Sequence, residues 1–250
     1  MRNTVFLDAG NTRIKAAGMM KGRWHTLAGI SYNAPDFVTQ LRELCRPYSR
    51  VVLASVKKQW QSHDLRSILD YDRSGVEVIG IDPARIPTER IRYRTVETLG
   101  VDRYLSCLGA WVMSGSAVIV SDAGTACTID VMDADGVFSG GVIMPGLHMM
   151  ISSLSEGADG LFGVPSELPD SWPPDSTEAA IQAGSVGTFL IAWEAHVQMS
   201  LNMFPDASVW LTGGDAGFLL SHTSLPCRIS EHLVFEGMRY WLEKFEAETR

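Results

Sequence analysis

The amino-acid sequence predicts an α/β protein made of two similar halves, and two observations carry this prediction. Short strands of β-branched and other apolar residues alternate with helical segments along the chain, which is typical of α/β folds. An apolar strand that ends in Asp-Ala-Gly, with a threonine close behind, occurs at residues 5–12 and again at residues 118–125. A repeat at this domain-sized spacing favours two related halves over a solenoid. We therefore expect an N-terminal half of residues 1–115 and a C-terminal half of residues 116–250.

The first half opens with a predicted β-hairpin, in which residues 4–7 and 14–17 are strands and residues 8–12 form the turn. Residues 35–46 place their apolar side chains on one helical face, and residues 51–56 and 76–81 are typical of buried strands. Residues 83–99 lack periodicity, so we expect a long irregular loop, which is uncommon unless it is functional. A helix should follow from about Val101 to about Met113.

The second half repeats this beginning, with strands predicted at residues 117–121 and 127–132 around the second Asp-Ala-Gly turn. Residues 147–175 are rich in Ser, Gly and Pro and should mix a short helix with loop. Residues 175–178 can start a helix that runs to Met203, because side-chain oxygens there can cap free amides. A strand at residues 209–211 leads into a third glycine turn, and residues 231–246 are amphipathic and should form the last helix.

The composition excludes several classes of function. The chain carries 21 Lys and Arg against 29 Asp and Glu, a net charge of −8, which argues against the broad basic face that nucleic acids and anionic membranes require but permits a local basic pocket for phosphate. The four cysteines are far apart without metal-ligand spacing, which argues against disulfides and zinc and indicates a reducing, cytoplasmic compartment. No apolar window approaches ~18 residues and the N-terminus does not have the pattern of a signal peptide, so we expect no membrane span.

The two Asp-Ala-Gly turns have the chemistry of a phosphate site. Glycine lets the backbone approach a ligand, free amides can hold phosphate oxygens, and Thr12 or Thr125 can add a hydroxyl. A carboxylate at the end of each strand, Asp8 and Asp122, suits Mg²⁺, which is held by one or two carboxylates together with substrate phosphates. Two such turns facing each other would clamp a polyphosphate. The common nucleotide, hydrolase and metalloprotease motifs are missing from the sequence.

The order of these motifs resembles that of the type III pantothenate kinases, over nearly the whole chain. The resemblance rests on residues 8–12 (DAGNT), 100–103 (GVDR), 122–130 (DAGTACTID), 140–146 (GGVIMPG) and 212–214 (TGG). It implies the fold group of acetate kinase, the sugar kinases and actin: two RNase H-like halves, each a mixed sheet flanked by helices, with the active site in the cleft between them. One departure is Val96, where many members of the family have proline.

The resemblance also implies an activity and a set of site residues. The activity is ATP-dependent phosphorylation of pantothenate to 4′-phosphopantothenate, the first step of coenzyme A biosynthesis, in a homodimer that needs Mg²⁺ and a monovalent cation, K⁺ or NH₄⁺. Asp102 would be the general base, Asp122 would bind the monovalent cation, and Asp8 would lie near Mg²⁺. The ATP site would comprise Asp8, Ala9, Gly10, Asn11, Thr12, Arg13, Ile14, Lys15 and Thr125, and the pantothenate site Tyr93, Gly100, Val101, Asp102, Arg103 and Thr177.

The residues themselves are compatible with the same chemistry and leave alternatives open. An Asp can accept the proton of a substrate hydroxyl, and Arg103 can pair with a carboxylate or a phosphate. Alternatively, Asp102 and Arg103 are the acidic and basic residues of an ordinary helix start, Tyr93 is a loop aromatic, and Thr177 belongs only to a helix cap. At the level of the whole protein, the alternatives are a catalytically silent regulator of the accessory-factor type and a kinase of the same fold that acts on a sugar or another small alcohol.

Overall fold

The computed structural model of the chain describes residues 3–56, 62–70, 75–81, 84 and 86–248. Contacts divide the chain into two compact units. The first unit contains residues Met1–Val112 together with His232–Arg250, and the second contains Met113–Glu231. The chain therefore passes from one unit to the other twice, and the last helix belongs to the unit in which the chain begins.

The first unit is built on a five-stranded mixed sheet with the strand order β3-β2-β1-β4-β5. Strands β1, β2 and β3 pair in antiparallel fashion, and β1-β4 and β4-β5 are parallel pairs. The strands are β1 Thr4–Ala9, β2 Arg13–Met20, β3 Arg23–Ser31, β4 Arg50–Ser55 and β5 Glu77–Ile81. The helices are α1 Phe37–Cys45, α2 Ser62–Asp70, α3 Val101–Ser114, which crosses into the second unit at its end, and α8 Leu233–Glu248.

The second unit repeats this sheet, with the order β8-β7-β6-β9-β10 and the same pairing directions. Its strands are β6 Val118–Ala123, β7 Ala126–Met132, β8 Phe138–Pro145, β9 Ser208–Thr212 and β10 Cys227–Ile229. Its helices are α4 Leu147–Gly157, α5 Thr177–Gln182, α6 Thr188–Met203 and α7 Ala216–Ser221. Strand β6 thus occupies the position of β1, and β8 that of β3, so the repeat seen in the sequence extends through the whole sheet.

Each unit has its own apolar core, because the central strands bury both faces. Residues 5–9 of β1 are all buried, as are residues 118–121 of β6. In the first unit these side chains pack with those of α1 and α2, including Leu41 and Leu65. In the second unit they pack with α6, including Phe189 and Trp193. The sheets are therefore rigid supports for the turns at the ends of β1 and β6.

Several elements differ from those that the sequence predicts. Strand β3 and helix α2 were not predicted at all. The single helix expected up to Met203 is interrupted by a π-helical turn at Ala183–Gly187, where the Ser185 hydroxyl donates to the Ile181 carbonyl at 2.6 Å and competes with the regular backbone ladder. Of the loop expected at residues 83–99, the described part contains the short 3₁₀ turns Thr88–Arg90 and Val96–Thr98 and an isolated bridge residue, Ile91; residues 83 and 85 lie outside it.

None of the helices in the described ranges combines the length and the apolar composition that crossing a membrane would require.

Candidate active site

The first turn joins β1 to β2 and carries most of the residues predicted to bind ATP. Asp8 is 9% exposed and pairs with Lys15 across the two strands, and Ile14 is buried beneath them. The turn itself is exposed at Asn11 and Thr12. Within the described ranges, the backbone amides of these two residues have no hydrogen-bond acceptor. Two amide donors and two polar side chains are therefore available to an anion at the end of β1.

The carbonyl groups of the first turn are held by Tyr32, the residue that directly follows β3. Its backbone amide donates to the Thr12 carbonyl at 3.3 Å, and its hydroxyl donates to the Gly10 carbonyl at 3.0 Å. The phenol is half-buried, and burial together with the charge of Asp8 raises the pKa of Tyr32 to about 12. Sequence reasoning missed Tyr32, because its strand was not predicted and a single tyrosine belongs to no motif.

Asp102, the predicted base, lies in the first turn of α3. Its carboxylate folds back over the helix start and accepts a hydrogen bond from the Arg103 amide at 2.8 Å. A Cβ atom on Gly100 would lie 2.6 Å from Oδ1 of Asp102, so this arrangement requires glycine at position 100. Burial raises the pKa of the Asp102 carboxyl above its ordinary value, although the Arg103 amide and the charges of Arg103 and Lys15 act in the opposite direction.

The effect of Lys15 on Asp102 links the predicted base to the first turn. Lys15 lies on β2 opposite Asp8, and its ammonium group is close enough to Asp102 to lower that pKa. A carboxyl with a raised pKa close to an anion-binding turn is typical of a site that handles protons during group transfer. The first unit therefore places a candidate base and a candidate phosphate turn in one electrostatic environment.

Two of the predicted substrate residues are in contact. The guanidinium carbon of Arg103 lies 5.8 Å from the centre of the Tyr93 ring, within the range of a cation–π interaction. Arg103 is 6% exposed, and Tyr93 is half-buried in the irregular segment before α3. Val101 is buried at the start of α3. The structure thus groups Tyr93, Gly100, Val101, Asp102 and Arg103 around one helix end.

The second turn joins β6 to β7 and contains Asp122 and Thr125. Thr125 is exposed, and its carbonyl accepts a hydrogen bond from the Gly146 amide at 3.2 Å. A Cβ on Gly146 would lie 2.2 Å from the Gly124 carbonyl oxygen, so the backbone after β8 is packed directly on the turn. The Ala123 carbonyl accepts from the Asp215 amide at 3.0 Å, which ties the turn to the segment after β9.

A second carboxylate accompanies Asp122 at this turn. Burial, together with the charges of Asp122 and Asp215, raises the pKa of the Cys127 thiol to about 12, so both carboxylates lie near that sulfur. Asp215 is also 3.9 Å from Nε2 of the exposed His148. The sequence places Asp215 in the third glycine turn, which suits backbone packing on a nucleoside, and gives its carboxylate no role of its own.

Thr177 is in the second unit, apart in sequence and in element from the other predicted substrate residues. It is the exposed first residue of α5, and the Ser176 hydroxyl before it accepts from the Ala179 amide at 3.2 Å. The predicted capped helix start is therefore confirmed. The contact of Thr177 with pantothenate stays a prediction.

The carboxylate oxygens beside the two turns suit a metal ion that binds together with the phosphates of a nucleotide. Among the residues that the structure describes, no three carboxylate, imidazole or thiol side chains converge as a complete metal cage. Mg²⁺ bound to ATP needs no such cage, since one or two carboxylates complete a shell of phosphate oxygens and water. Asp8 beside the first turn and Asp122 beside the second turn offer the hard oxygen ligands that Mg²⁺ and alkali cations prefer.

The chain is similar in sequence to proteins of one known family. A model of the type III pantothenate kinase family matches residues 4–198. A protein of Dechloromonas aromatica named type III pantothenate kinase is 33% identical over 236 residues, 94% of this chain and 97% of that protein. One of the same name from Laribacter hongkongensis is 34% identical over 245 residues, with the same coverage of 94% and 97%.

Solved structures support the fold. A Baf family protein of Campylobacter jejuni has a TM-score of 0.65 at 20% identity and covers 97% of this chain and 99% of its own. A glucokinase from an Antarctic psychrotroph has a TM-score of 0.51 at 8% identity, covering 96% and 98%. At such identities the likeness concerns the fold alone, and it confirms the predicted sugar-kinase-like architecture of two related sheets.

Proposed function

The chain belongs to the type III pantothenate kinase family, and we propose that it transfers the terminal phosphoryl group of ATP to the 4′-hydroxyl of pantothenate. This reaction begins coenzyme A biosynthesis. The observation that carries the proposal is the position of Asp102, a carboxylate of raised pKa at a helix start whose charge is coupled to Lys15 on β2, close to the first turn. Phosphoryl transfer demands chiefly positioning and charge neutralisation, together with a group that orients and deprotonates the nucleophile.

In the proposed mechanism, the first turn binds ATP through the amides and side chains of Asn11 and Thr12 and the charge of Lys15. The second turn offers the exposed Thr125 hydroxyl to a nucleotide. Arg103 pairs with the pantothenate carboxylate, while Tyr93 packs against both Arg103 and the substrate. Asp102 accepts the proton of the 4′-hydroxyl as the oxygen attacks the phosphorus atom. Its raised pKa makes it a stronger base than an exposed carboxylate.

Two cations complete the proposal. Asp8 would hold Mg²⁺ together with the phosphates, and Asp122, with Asp215 close by, would hold K⁺ or NH₄⁺. When bound, Mg²⁺ supplies positive charge that offsets the charge developing on the transferred phosphoryl group. Asp8 is suited to this role because it is nearly buried at a rigid strand end, so its carboxylate is fixed in place.

We further propose a cytoplasmic homodimer. The four cysteines are free, three of them buried, as expected for a reducing compartment. Helix α6 presents an exposed apolar stripe at four-residue spacing, formed by Ile191, Ala195, Met199 and Met203, of which Met203 is 77% exposed. A stripe of this kind is typical of a helix that packs against another copy. Sedimentation velocity should give twice the mass of the chain, and Met199→Glu should shift the protein toward a single copy.

The proposed activity is tested by coupling ADP formation to NADH oxidation and identifying the product by mass spectrometry. ADP should form only when ATP, pantothenate, Mg²⁺ and K⁺ or NH₄⁺ are all present, and the product should be 4′-phosphopantothenate. Glucose in place of pantothenate serves as the control for a sugar kinase of the same fold. Absence of turnover with all four components would contradict the proposal, and nucleotide binding without turnover on any alcohol would favour the silent regulator.

A further inference from the structure

Tyr32 contacts the first turn through two separate donors, and no motif in the sequence assigns it a role. We propose that Tyr32 is a positioning residue for ATP, because it holds two turn carbonyls and so leaves the neighbouring amides available to the phosphates. This inference rests on the proposed function of the first turn as the phosphate site. Tyr32 acts through the turn and takes no part in the chemical step.

The physical reason lies in the sign of the peptide dipole. A carbonyl oxygen carries partial negative charge and repels a phosphate, whereas an amide hydrogen attracts it. The carbonyls of Gly10 and Thr12 are both engaged by Tyr32, at 3.0 Å from its hydroxyl and 3.3 Å from its amide. The amides of Asn11 and Thr12 donate to no acceptor within the part of the chain that the structure describes. The turn is thus prepared for an anion before the anion binds.

The side chain of Tyr32 is itself fixed. Its ring packs on Phe37 of α1 with the ring centres 5.4 Å apart, which connects the turn to the apolar core of the first unit. The hydroxyl is thereby held where it donates to the Gly10 carbonyl, as a positioning role requires.

The chain offers a matched pair of variants. Tyr32→Phe removes the hydroxyl bond to Gly10 and keeps both the ring on Phe37 and the backbone bond to Thr12. The control is Tyr48→Phe, which also removes one tyrosine hydroxyl from the border of the same apolar core. The Tyr48 hydroxyl lies near Gly18 in the interior of β2, away from the turn; a Cβ on Gly18 would be 3.7 Å from it.

The affinity for adenylyl imidodiphosphate with Mg²⁺ should be measured by calorimetry in wild type and both variants, together with the KM for each substrate and the melting temperature. We expect Tyr32→Phe to raise the nucleotide Kd and the KM for ATP about 3- to 10-fold, the loss typical of one hydrogen bond. The KM for pantothenate should stay the same. Tyr48→Phe should leave all three constants unchanged.

Hydrogen exchange gives an independent reading in the absence of ligand. Peptides that cover residues 9–13 should exchange faster in Tyr32→Phe than in wild type, while the Tyr48→Phe variant should match wild type. The inference is overturned if Tyr32→Phe binds nucleotide as tightly as the control, if it raises both KM values together, or if exchange in the turn is unchanged. If wild type binds nucleotide and does not phosphorylate pantothenate, the proposed function fails, and the binding series still decides the role of Tyr32.

Discussion

The turns after β1 and β6 occupy equivalent places in the two sheets. They share one kind of backbone hydrogen bond and differ in the second contact that holds them. In both, the residue that directly follows the third strand of the unit binds the carbonyl of a turn threonine through its backbone amide. That residue is Tyr32 in the first unit and Gly146 in the second. Tyr32 reaches the Gly10 carbonyl with a hydroxyl at 3.0 Å, whereas Gly146 brings its Cα against the Gly124 carbonyl, where a Cβ would lie only 2.2 Å away.

The same repeated fold therefore stabilises one turn with a side chain and the other with backbone alone. The first turn, which the Tyr32 side chain holds, stays open, with Asn11 and Thr12 exposed and their amides free in the described structure. The second turn, on which the backbone of Gly146 packs, is closed tightly and leaves no room for any side chain at position 146. We therefore expect the second turn to be intolerant of substitution and the first turn to be adjustable.

The surroundings of the two turns differ as well. A carboxyl of raised pKa, Asp102, is coupled to Lys15 on the first hairpin, whereas the carboxylates near the second turn are Asp122 near the end of β6 and Asp215 just before α7. The first arrangement suits proton transfer and the second suits a bound cation. The comparison thus divides the proposed chemistry between the units, with the base in the first and the monovalent cation in the second.

The largest effect on stability should come from Gly146→Ala, because the added Cβ prevents the backbone at position 146 from packing on the second turn. The added methyl group would meet the carbonyl oxygens of Gly124 at 2.2 Å and Thr125 at 2.6 Å, so the turn must move. We expect the free energy of unfolding to fall by about 3 kcal/mol, the upper range for overpacking. Urea denaturation measures it. Gly157→Ala is the control, since a Cβ there meets nothing within 4 Å at the end of α4.

Equal stability of the two alanine variants would show that the second turn is not held in the way described.

The pH dependence of the free energy of unfolding tests the environment of Asp102. Because the folded pKa of Asp102 is raised, the folded state holds this proton more tightly than the unfolded state does. Stability should therefore fall as pH rises from the ordinary aspartate pKa of about 3.9 through the raised value, and level off above it. Asp102→Asn removes the buried charge and should raise the free energy of unfolding at pH 7 by about 1 kcal/mol.

Denaturation at several pH values measures this effect, with wild type as the reference. A variant that is less stable than wild type at pH 7 would contradict the assigned direction of the Asp102 pKa.

A smaller effect, on the pH dependence of kcat, is expected from Lys15→Gln. Its ammonium group lowers the pKa of Asp102, so its loss should move the acidic limb of kcat, measured at saturating ATP, to higher pH. The shift should be well under one pH unit, because Lys15 is exposed and solvent screens its charge. Lys21→Gln in the turn between β2 and β3 removes the same charge elsewhere and should leave the limb in place. If the acidic limb of kcat stays in place in Lys15→Gln, the charge of Lys15 does not act on Asp102, and the proposed link between the base and the first turn is wrong.

The sequence was sufficient to predict the paired strands at the start of each sheet, because β1 and β6 are almost entirely buried and each runs into the same Asp-Ala-Gly turn. It was not sufficient for β3, whose residues are mostly exposed at the sheet edge and show no clean alternation. The amphipathic pattern of residues 231–246 predicted a buried face, and the expected division counted these residues with the C-terminal half, whereas contacts group His232–Arg250 with the first unit. The helix packs with the first unit through Gly237, which lies against the Leu105 carbonyl.

The site was predictable to the extent that its residues form continuous motifs. The grouping of Asp102 and Arg103 with Gly100 follows from adjacency in one helix start, and the contact between Tyr93 and Arg103 places the predicted loop aromatic beside them. Tyr32 and Asp215 were missed because each acts at a turn that is distant in sequence. Only strand pairing brings such residues together, and pairing is a property of the fold.

The most direct test of the account is the rate of phosphoryl transfer from ATP to pantothenate by Asp102→Asn, with nucleotide affinity measured on the same sample. Asparagine keeps the oxygen that accepts from the Arg103 amide and loses the ability to take a proton. The account predicts that transfer slows by about 10²- to 10⁴-fold while the Kd for nucleotide stays at the wild-type value. Transfer at a near-normal rate by Asp102→Asn would contradict the claim that this carboxylate is the base.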